Sequence, residues 1–539
     1  MRVRLLYADR ELAPRARPDP GAPDRERDLE LGVLYTVMAG SDPVRRVVVP
    51  RVLAEGLTDP DAIRYRQEVL ADCLGHGPVV QSLYGLAVRG LAAERAVWGF
   101  GNAPSSVIYR GTRLLRRFLP LLRELRAIAE AHRSAFASRG FLRGFDEVLR
   151  ELDPAFFEAA EAHAQVLEFP TGVLLSASLG PGNRGARYEL HRPSTTAAGW
   201  WRRLLPTRRS PFAFELDDHD ESGHRALSRL TDRGLAGAAH ALGRANAHIL
   251  GYFAALRDEL SFYLACLDLH ARLAAAGAEV SMPEPVTEPD RLSAGGLYDP
   301  TLVLRGGAGV VPNDLTADGR PLLVITGANQ GGKTTFLRGL GLAQLLMQAG
   351  CFVPARRWTA SVAPEVLTHF KREEDTALAS GKLDEELGRM AALVGRVRPG
   401  SLVLLNESFA STNEREGSIL AGEIVRAFLD SGVRVAYVTH LYDLADRLLH
   451  QEAARGLFLR AERLPDGRRT YRMVVGSPLR TSFAADVFRE VFGEPVSAAS
   501  ETPSGEPRAM SAPDRARVEL RSGAARSGRP EGAPEAGGR

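Results

Sequence analysis

A strand, a glycine-rich turn and a helix between residues 322 and 349 constrain the fold of this chain more than any other segment. Residues 322–326 form an apolar run that predicts a buried strand, 327–334 have the form Gly-x4-Gly-Lys-Thr, and 336–349 have helical periodicity. Glycines in such a turn let backbone N–H groups close on phosphates, and the helix N-terminus adds partial positive charge. We expect Lys333 to reach the β- and γ-phosphates of a nucleotide and the Thr334 hydroxyl to bind Mg²⁺.

A second apolar run, at residues 401–405, ends at Asn406 and Glu407. In P-loop ATPases an Asp at such a strand end holds the Mg²⁺ shell, and a following Glu can take a proton from the attacking water. The amide oxygen of Asn406 can still accept a hydrogen bond from a metal-bound water, but it carries no charge, so we expect weaker Mg²⁺ binding and slower turnover. A third predicted strand ends at His440, which either senses the γ-phosphate or caps the strand. The predicted catalytic residues are Glu407, His440 and Lys333, and the predicted metal site is Thr334, Asn406 and Glu407.

Changes in composition along the chain divide it into segments. Alternating strand and helix patterns after Pro321 predict an α/β P-loop ATPase domain with a mostly parallel sheet, and the helical pattern before it predicts an all-α domain. The predicted segments are a mobile N-terminal arm (1–28), a helical domain (29–277) with a short β-containing insertion (168–222), a connector (278–320), the ATPase domain (321–495) and a disordered tail (496–539).

One long helical pattern without proline runs from about residue 222 to 277. At about 1.5 Å per residue it would reach on the order of 80 Å if unbroken, although glycines at 234, 237, 243 and 251 are places where it could kink. Such a helix is either a lever that joins distant sites or an ordinary bundle helix. The basic and aromatic run at 200–203 is either a nucleic-acid contact or a loop whose tryptophans pack inward.

Charge and cysteine content narrow the class of protein. The net charge of +3 leaves no global basic field, so any nucleic-acid contact must come from a local patch. Among 69 basic residues only Lys333, Lys371 and Lys382 are lysines, which supports a specific role for the lysine in the glycine-rich turn. Three widely spaced cysteines fit a reducing cytoplasm. No signal core is found, and no stretch approaches the roughly 20 apolar residues of a membrane span.

The residues around the glycine-rich turn resemble those of the MutS family. The resembling segments are 327–335, the run Gln-Ala-Gly-Cys-Phe-Val-Pro-Ala at 348–355, Val-Pro-Asn-Asp at 311–314, the acidic strand and its loop at 402–412, and Tyr-Val-Thr-His at 437–440. The resemblance is specific over about 300–490 and fainter back to about residue 30.

This resemblance implies an ABC-like ATPase domain that uses ATP and Mg²⁺, a homodimer formed through the ATPase domains, and binding to DNA. It also implies that Ser380 and Glu385, in a signature loop, complete the partner's ATP site, although Lys382 stands where the family usually has Phe. An ordinary helix N-cap at Ser380 is the alternative. The residues predicted to bind the nucleotide are Gly327, Ala328, Asn329, Gln330, Gly331, Gly332, Lys333, Thr334, Thr335, Asn313 and Ser380.

Departures from the family pattern leave the function open. About 30 residues precede the core, so we expect no mismatch-reading domain; the segment where the family has its DNA clamp is short, and no nuclease domain is expected. The favoured prediction is an ATP-gated dimer that binds mismatched, distorted or branched DNA in repair or recombination. The alternatives are an ATPase acting on structured RNA or ribosomes, a non-hydrolysing ATP-gated clamp or scaffold, and a chromosome-organising ATPase of the ABC type.

Overall fold

The computed structural model describes residues 1–13, 19–97, 101–170, 172–183, 185–191, 215–307, 309–372, 382–464 and 467–479. These residues all belong to one compact unit, which extends from Met1 to Asp486. The predicted tail at 496–539, the basic and aromatic run at 200–203 and Ser380 lie outside the described residues.

Helices form the first half of the described chain. They are α1 (Ala22–Asp28), α2 (Leu31–Ala39), α3 (Pro43–Glu55), α4 (Pro60–Gly75), α5 (Gly77–Arg95), α6 (Pro104–His132), α7 (Arg139–Glu151), α8 (Pro154–Val166) and α9 (Glu221–Ala275), with short 3-10 segments at Arg133–Ala135 and Pro181–Asn183. Three of them start at an Asp-Pro pair, in which Asp42, Asp59 or Asp153 accepts a backbone N–H of the first turn and proline takes the first helical position. These starts are therefore encoded locally.

Helix α9 is a single helix of 55 residues and forms the spine of the helical domain. It packs along α3, α5 and α6, and the glycines in its sequence do not interrupt it. Two glycines show how closely the elements approach. A Cβ at Gly90 of α5 would lie 2.4 Å from the Phe253 ring of α9, and one at Gly111 of α6 would lie 2.7 Å from Leu242 of α9.

A small antiparallel hairpin interrupts the helical domain between α8 and α9. Its strands are β1 (Leu174–Leu179) and β2 (Gly185–His191). The hairpin lies against the first third of α9, where a Cβ at Gly234 would be 2.2 Å from Leu175. The structure thus has strands within the segment predicted to be a β-containing insertion.

A six-stranded sheet lies at the centre of the second half of the chain. Its strands, in spatial order, are β12 (Arg469–Val475), β11 (Gly456–Arg463), β6 (Leu322–Gly327), β10 (Arg434–Val438), β9 (Leu402–Asn406) and β8 (Val366–Phe370). All neighbours are parallel except β11 and β12, so the predicted mostly parallel sheet is present. The helices are α10 (Pro300–Leu304), α11 (Lys333–Gln348), α12 (Lys382–Val394), α13 (Glu414–Asp430) and α14 (Tyr442–Gln451).

Alternating residues of this sheet face two different cores. Leu323 and Ile325 pack in the core shared with α11 and the helical domain, whereas Leu322 and Val324 pack against the side of α13 and α14. Because both faces of the sheet are covered by other elements, its central strands are continuous apolar runs. Such runs could be found in the sequence.

The segment at 278–320 is not a connector. It contains α10 and contributes β3 (Glu284–Val286), β4 (Leu292–Leu297) and β5 (Asn313–Thr316) to a four-stranded sheet, which is completed by β7 (Arg357–Ser361). β7 pairs with both β3 and β4. The prediction of a connector did not include this sheet, because short strands rich in proline and glycine become a sheet only when a strand from a distant part of the chain pairs with them.

The prediction of a mobile arm at 1–28 is also wrong for the described residues. Leu5 and Leu6 are no more than 4% exposed, and the Glu259 carboxylate of α9 accepts their backbone N–H groups over 2.6 and 3.0 Å. The Tyr263 hydroxyl donates to the Leu5 carbonyl, and Arg66 donates to the Leu6 carbonyl. The polar composition suggested a solvated segment, but buried side chains of distant residues form hydrogen bonds with its backbone N–H and C=O groups.

Candidate functional site

A cavity of about 800 Å³ opens at the carboxyl ends of β6, β9 and β10, which is where open α/β sheets bind ligands. Of the residues predicted from the sequence, those that line it are Asn313, Asn329, Gln330, Gly331, Gly332, Lys333, Thr334, Thr335, Glu407 and His440. Gly327, Ala328 and Asn406 lie directly behind this lining and contact it through Lys333 and Thr334. The fold therefore brings residues from three separate strand ends to one place.

The turn between β6 and α11 wraps around the Lys333 ammonium. Nζ donates to the carbonyls of Gly327 and Ala328 over 2.9 and 3.0 Å. Gly327 has φ +111°, and a Cβ there would lie 2.8 Å from the Ala461 backbone nitrogen, so the turn requires glycine at this position. Gly332, the residue before α11, has no side chain to cap the helix, which leaves the first backbone N–H groups available to an anion.

Burial lowers the pKa of the Lys333 ammonium, while the Glu407 carboxylate raises it and Arg469 lowers it. The ammonium is held in a partly desolvated position, where a charged partner is worth more than in water. An anionic ligand in the cavity would restore the solvation that Lys333 has lost.

The hydroxyl of Thr334 donates to the Asn406 side-chain oxygen over 3.1 Å. Among the described residues, no group of three or more His, Cys, Asp or Glu side chains is arranged to hold a metal ion. A cation at this position would therefore depend on the neutral oxygens of Thr334 and Asn406, on Glu407 and on the oxygens of a bound phosphate, a ligand set that suits Mg²⁺.

Glu407 lies beside His440 at the mouth of the cavity, with Oε1 3.5 Å from the His440 Nδ1. Hydrogen bonding to His440 lowers the pKa of the Glu407 carboxyl, and Lys333 and Lys371 act in the same direction against the effect of burial. Glu407 has φ +54°, which is rare for a residue with a side chain, and its N–H donates to the Val438 carbonyl over 2.8 Å. The carboxylate is thus ionised at neutral pH and fixed in orientation.

A buried network that the sequence did not reveal supports the loop after Glu407. The Glu386 carboxylate of α12 accepts the Phe409 N–H over 3.2 Å and also the Ser411 hydroxyl. Tyr437 donates to the Ser408 carbonyl over 2.7 Å. Phe409 has φ +63°, so this loop contains a second strained residue close to Glu407. The only sign of this network in the sequence is that Glu386 lies on the apolar side of α12. Its role could be recognised only after the structure showed its hydrogen-bond partners.

His369 completes this network from β8. Its Nδ1 lies 2.7 Å from the Ser408 hydroxyl and its Nε2 lies 3.2 Å from the Glu386 carbonyl. Burial, followed by the positive charge of Arg389, lowers the pKa of His369 to about 4, so the ring is neutral near pH 7. His369 acts as a structural hydrogen-bonding group here.

Two domain models of one protein family match the chain over most of its length. The MutS2 N-terminal domain matches residues 58–276, and MutS domain V matches residues 323–500. The chain belongs to the MutS family. The first match covers α4 to α9 of the helical domain, and the second covers the sheet that carries the cavity.

Three relatives illustrate how far this MutS-family chain is similar to named proteins. "DNA mismatch repair protein MutS 2" of Halobacterium salinarum is 34% identical over 203 residues, which are 36% of this chain and 23% of that protein. "DNA mismatch repair protein MutS" of Thermotoga sp. is 32% identical over 36% of this chain and 24% of that protein. "Endonuclease MutS2" of Pelotomaculum thermopropionicum is 30% identical over 30% of this chain and 20% of that protein. The matched region spans about a quarter or less of each relative.

Asn313 and Glu385, which were predicted from the MutS resemblance, make hydrogen bonds within their own chain. The Asn313 side chain donates to the Val311 and Tyr471 carbonyls and accepts the Met473 N–H over 2.7 Å, so it joins β5 to β12 in the cavity wall. Glu385 accepts a hydrogen bond from Arg372 and does not line the cavity of its own chain.

Tyr471 is a lining residue that sequence reasoning missed. It is 49% exposed, has φ +59° and lies beside Gly332 in the cavity lining, where a Cβ on Gly332 would be 3.5 Å from its Cδ1. Nothing in the local pattern of β12 distinguishes it from an ordinary strand tyrosine. No helix among the described residues is both long and apolar enough to cross a membrane.

Proposed function

We propose that this chain is a Mg²⁺-dependent ATPase that controls the DNA binding of a homodimer. The observation that carries the proposal is the convergence of Lys333, Thr334, Asn406 and Glu407 on one cavity at the end of the parallel sheet. Membership in the MutS family, with domain V over this sheet, supports the assignment of ATP as the ligand.

Each side chain has a role in hydrolysis. The N–H groups at the start of α11 bind phosphate oxygens, together with Lys333, which exchanges a loop carbonyl for a phosphate oxygen. Thr334 and Asn406 would hold Mg²⁺ or its water ligands, and a bound ion would supply positive charge beside the phosphates. The Glu407 carboxylate orients the attacking water and accepts its proton. His440 orients Glu407 and lines the same cavity, and we infer that it senses the γ-phosphate.

Helix α9 provides a physical connection between this site and the hairpin. Cys266 of α9 lies 3.7 Å, sulfur to sulfur, from Cys351, which closely follows α11. Gly234 of the same helix contacts the hairpin, about 48 Å away at about 1.5 Å per residue. A displacement of α11 on nucleotide binding would therefore be transmitted along one rigid element, which is the coupling that an ATP-gated clamp requires.

The DNA and dimer parts of the proposal rest on the family. The relatives named as mismatch repair proteins support mismatched, distorted or branched DNA as the ligand. We propose that two ATPase domains dimerise in an ABC-like manner with ATP between them, that Ser380 of one subunit completes the site of the other, and that the protein works in the cytoplasm.

Asn406 favours a second candidate, a clamp that binds ATP without turning it over. An uncharged side chain beside Thr334 holds Mg²⁺ less firmly than a carboxylate would. This candidate predicts ATP-dependent dimerisation with no phosphate release.

The deciding experiment measures ATP binding, phosphate release and mass in solution, and then competition among homoduplex, mismatched, branched and single-stranded DNA and folded RNA. Lys333→Ala should abolish nucleotide binding while thermal unfolding stays cooperative. Thr359→Ala, at a half-buried position of β7 that does not line the cavity, serves as the control. Retained ATP binding in Lys333→Ala would refute the site, and equally weak binding to every nucleic acid would refute the DNA function.

A further inference from the structure

Helix α9 carries a row of basic side chains on its outer side. The members are Arg225, Arg229, Arg233, His240 and Arg244, and all of them are exposed. Because successive helical residues are rotated by about 100°, these five positions fall within a sector of about 100°. Between the arginines the same side carries the exposed small residues Ala236, Gly237 and Ala247, so no bulky side chain separates the cations.

The row faces away from the helical bundle. Leu235, Leu242 and Asn246 form the buried side of α9, and the Asn246 amide donates to the Gly111 carbonyl of α6 over 2.9 Å. These buried positions are rotated by about 120° from the centre of the arginine row. The arginine side chains therefore project into solvent.

Few carboxylates compensate these charges. Between residues 222 and 256 the only acidic residue is Asp232, which accepts the Ser105 N–H at the start of α6. Arg225 pairs weakly with the exposed Glu221, over 3.4 Å. Within the part of the chain that the structure describes, Arg229, Arg233 and Arg244 have no carboxylate at ion-pair distance, and Arg233 lies 5.8 Å from the Tyr188 ring of the hairpin. The row is thus a local positive field on a chain whose net charge is only +3.

We propose that this outer face of α9 binds the phosphate backbone of a nucleic-acid duplex. The inference rests on the proposed function and deepens it, because it locates the contact on the lever helix itself. Arg225 and Arg244 are about 28 Å apart along the helix, which is comparable to one turn of B-form DNA at about 34–36 Å. Guanidinium groups suit the task because they bind phosphate oxygens in pairs.

Binding there would not read sequence, since phosphate contacts position a duplex without identifying its bases. The affinity for the duplex would depend on whether ATP is bound, since α9 also contacts the region after α11 at Cys351. The shared chemistry is a double-stranded phosphodiester backbone, which DNA and RNA both offer.

The test compares a triple variant, Arg229→Ala, Arg233→Ala and Arg244→Ala, with a control triple of arginines that are already paired with glutamates. The control residues are Arg123, Arg139 and Arg426, paired with Glu161, Glu68 and Glu423. Affinity for a 30-base-pair DNA duplex, a matched RNA duplex and single-stranded DNA is measured between 50 and 200 mM salt, with ATP binding measured in parallel.

The first triple should reduce the slope of log affinity against log salt by about 2 to 3, since each phosphate contact contributes about 0.9. ATP binding should stay unchanged, and the control triple should keep the wild-type slope. Duplex binding by the first triple with an unchanged slope would overturn this inference and leave the proposed function standing. An equal loss of slope in the control triple would do the same. No duplex binding by the wild-type protein would overturn both. Binding of the RNA duplex but not of the DNA duplex would support the outer face of α9 as the binding surface and contradict the assignment of DNA as the ligand.

Discussion

Thr334 donates a hydrogen bond over 3.1 Å to Asn406, and this bond joins the first turn of α11 to the end of β9. The two residues are far apart in sequence and belong to the two elements that together hold nucleotide and metal in P-loop ATPases. An amide at this place gives the site oxygen ligands but one negative charge fewer than an aspartate would.

Replacing Asn406 with Asp should raise the ATP hydrolysis rate at low Mg²⁺. We expect an increase on the order of tenfold, because a unit charge a few ångströms from a cation is worth at least about 1 kcal/mol. The measurement is steady-state phosphate release over a Mg²⁺ titration. Asn413→Asp is the matched control, since Asn413 caps α13 and aspartate caps equally well. An unchanged rate in Asn406→Asp would remove Asn406 from the metal site.

Glu407→Gln should abolish turnover and preserve ATP binding. The amide keeps the size of the side chain but cannot accept a proton, and loss of a general base costs about 10²- to 10⁴-fold. Since the pKa of Glu407 is lowered, wild-type turnover should decline only in acid, where this carboxylate becomes protonated. Single-turnover kinetics and nucleotide titration separate the two effects, with the exposed Glu423→Gln as control. Normal turnover in Glu407→Gln would assign the base elsewhere.

Glu386 is a positioning residue for this loop. Glu386→Ala leaves the buried Phe409 N–H without its partner and should lower kcat by about 10- to 100-fold, with little change in ATP affinity. Glu386→Gln retains an acceptor oxygen and should recover part of kcat. A residue that merely stabilised the fold would lower the unfolding temperature in both variants and leave kcat per folded molecule unchanged, which is the outcome that would contradict the prediction.

Glu259 should make stability depend on pH. Burial raises the pKa of this carboxyl to about 7, against the backbone N–H groups of Leu5, Leu6 and Leu12. A raised pKa means that its contribution is complete in acid, below the ordinary carboxyl value, and is lost as pH rises through 7. The loss is about 3 kcal/mol from the size of the shift. Urea unfolding at pH 5 and pH 8 measures it, with Glu259→Gln as the non-titrating reference. Parallel pH trends in the two proteins would refute the prediction.

Two glycines of α5 should respond in opposite ways to alanine. A Cβ at Gly90 meets the Phe253 ring at 2.4 Å, so Gly90→Ala should destabilise the protein by about 1–3 kcal/mol. Gly85, on the same helix, has open space around it, and Gly85→Ala should be neutral or stabilise by up to about 1 kcal/mol. Chemical denaturation compares the two, and equal effects would mean that α5 and α9 are not packed this closely.

Contiguous residues encoded the parts of this protein that could be predicted in advance. The turn at 327–334 lies between its strand and helix as expected, the central strands are apolar runs, and α9 follows an uninterrupted helical pattern. Each of these depends on periodicity or turn chemistry within a few residues, which a sequence displays directly.

Long-range packing decided the rest. The burial of residues 3–7 depends on α4 and α9, the sheet built from 278–320 depends on β7, and the support of Glu407 depends on Glu386 and Tyr437. In each case the stabilising partner is distant in the chain. Hydrogen bonding of a buried group is satisfied by whichever side chain the fold brings near it, and local patterns carry no record of that partner.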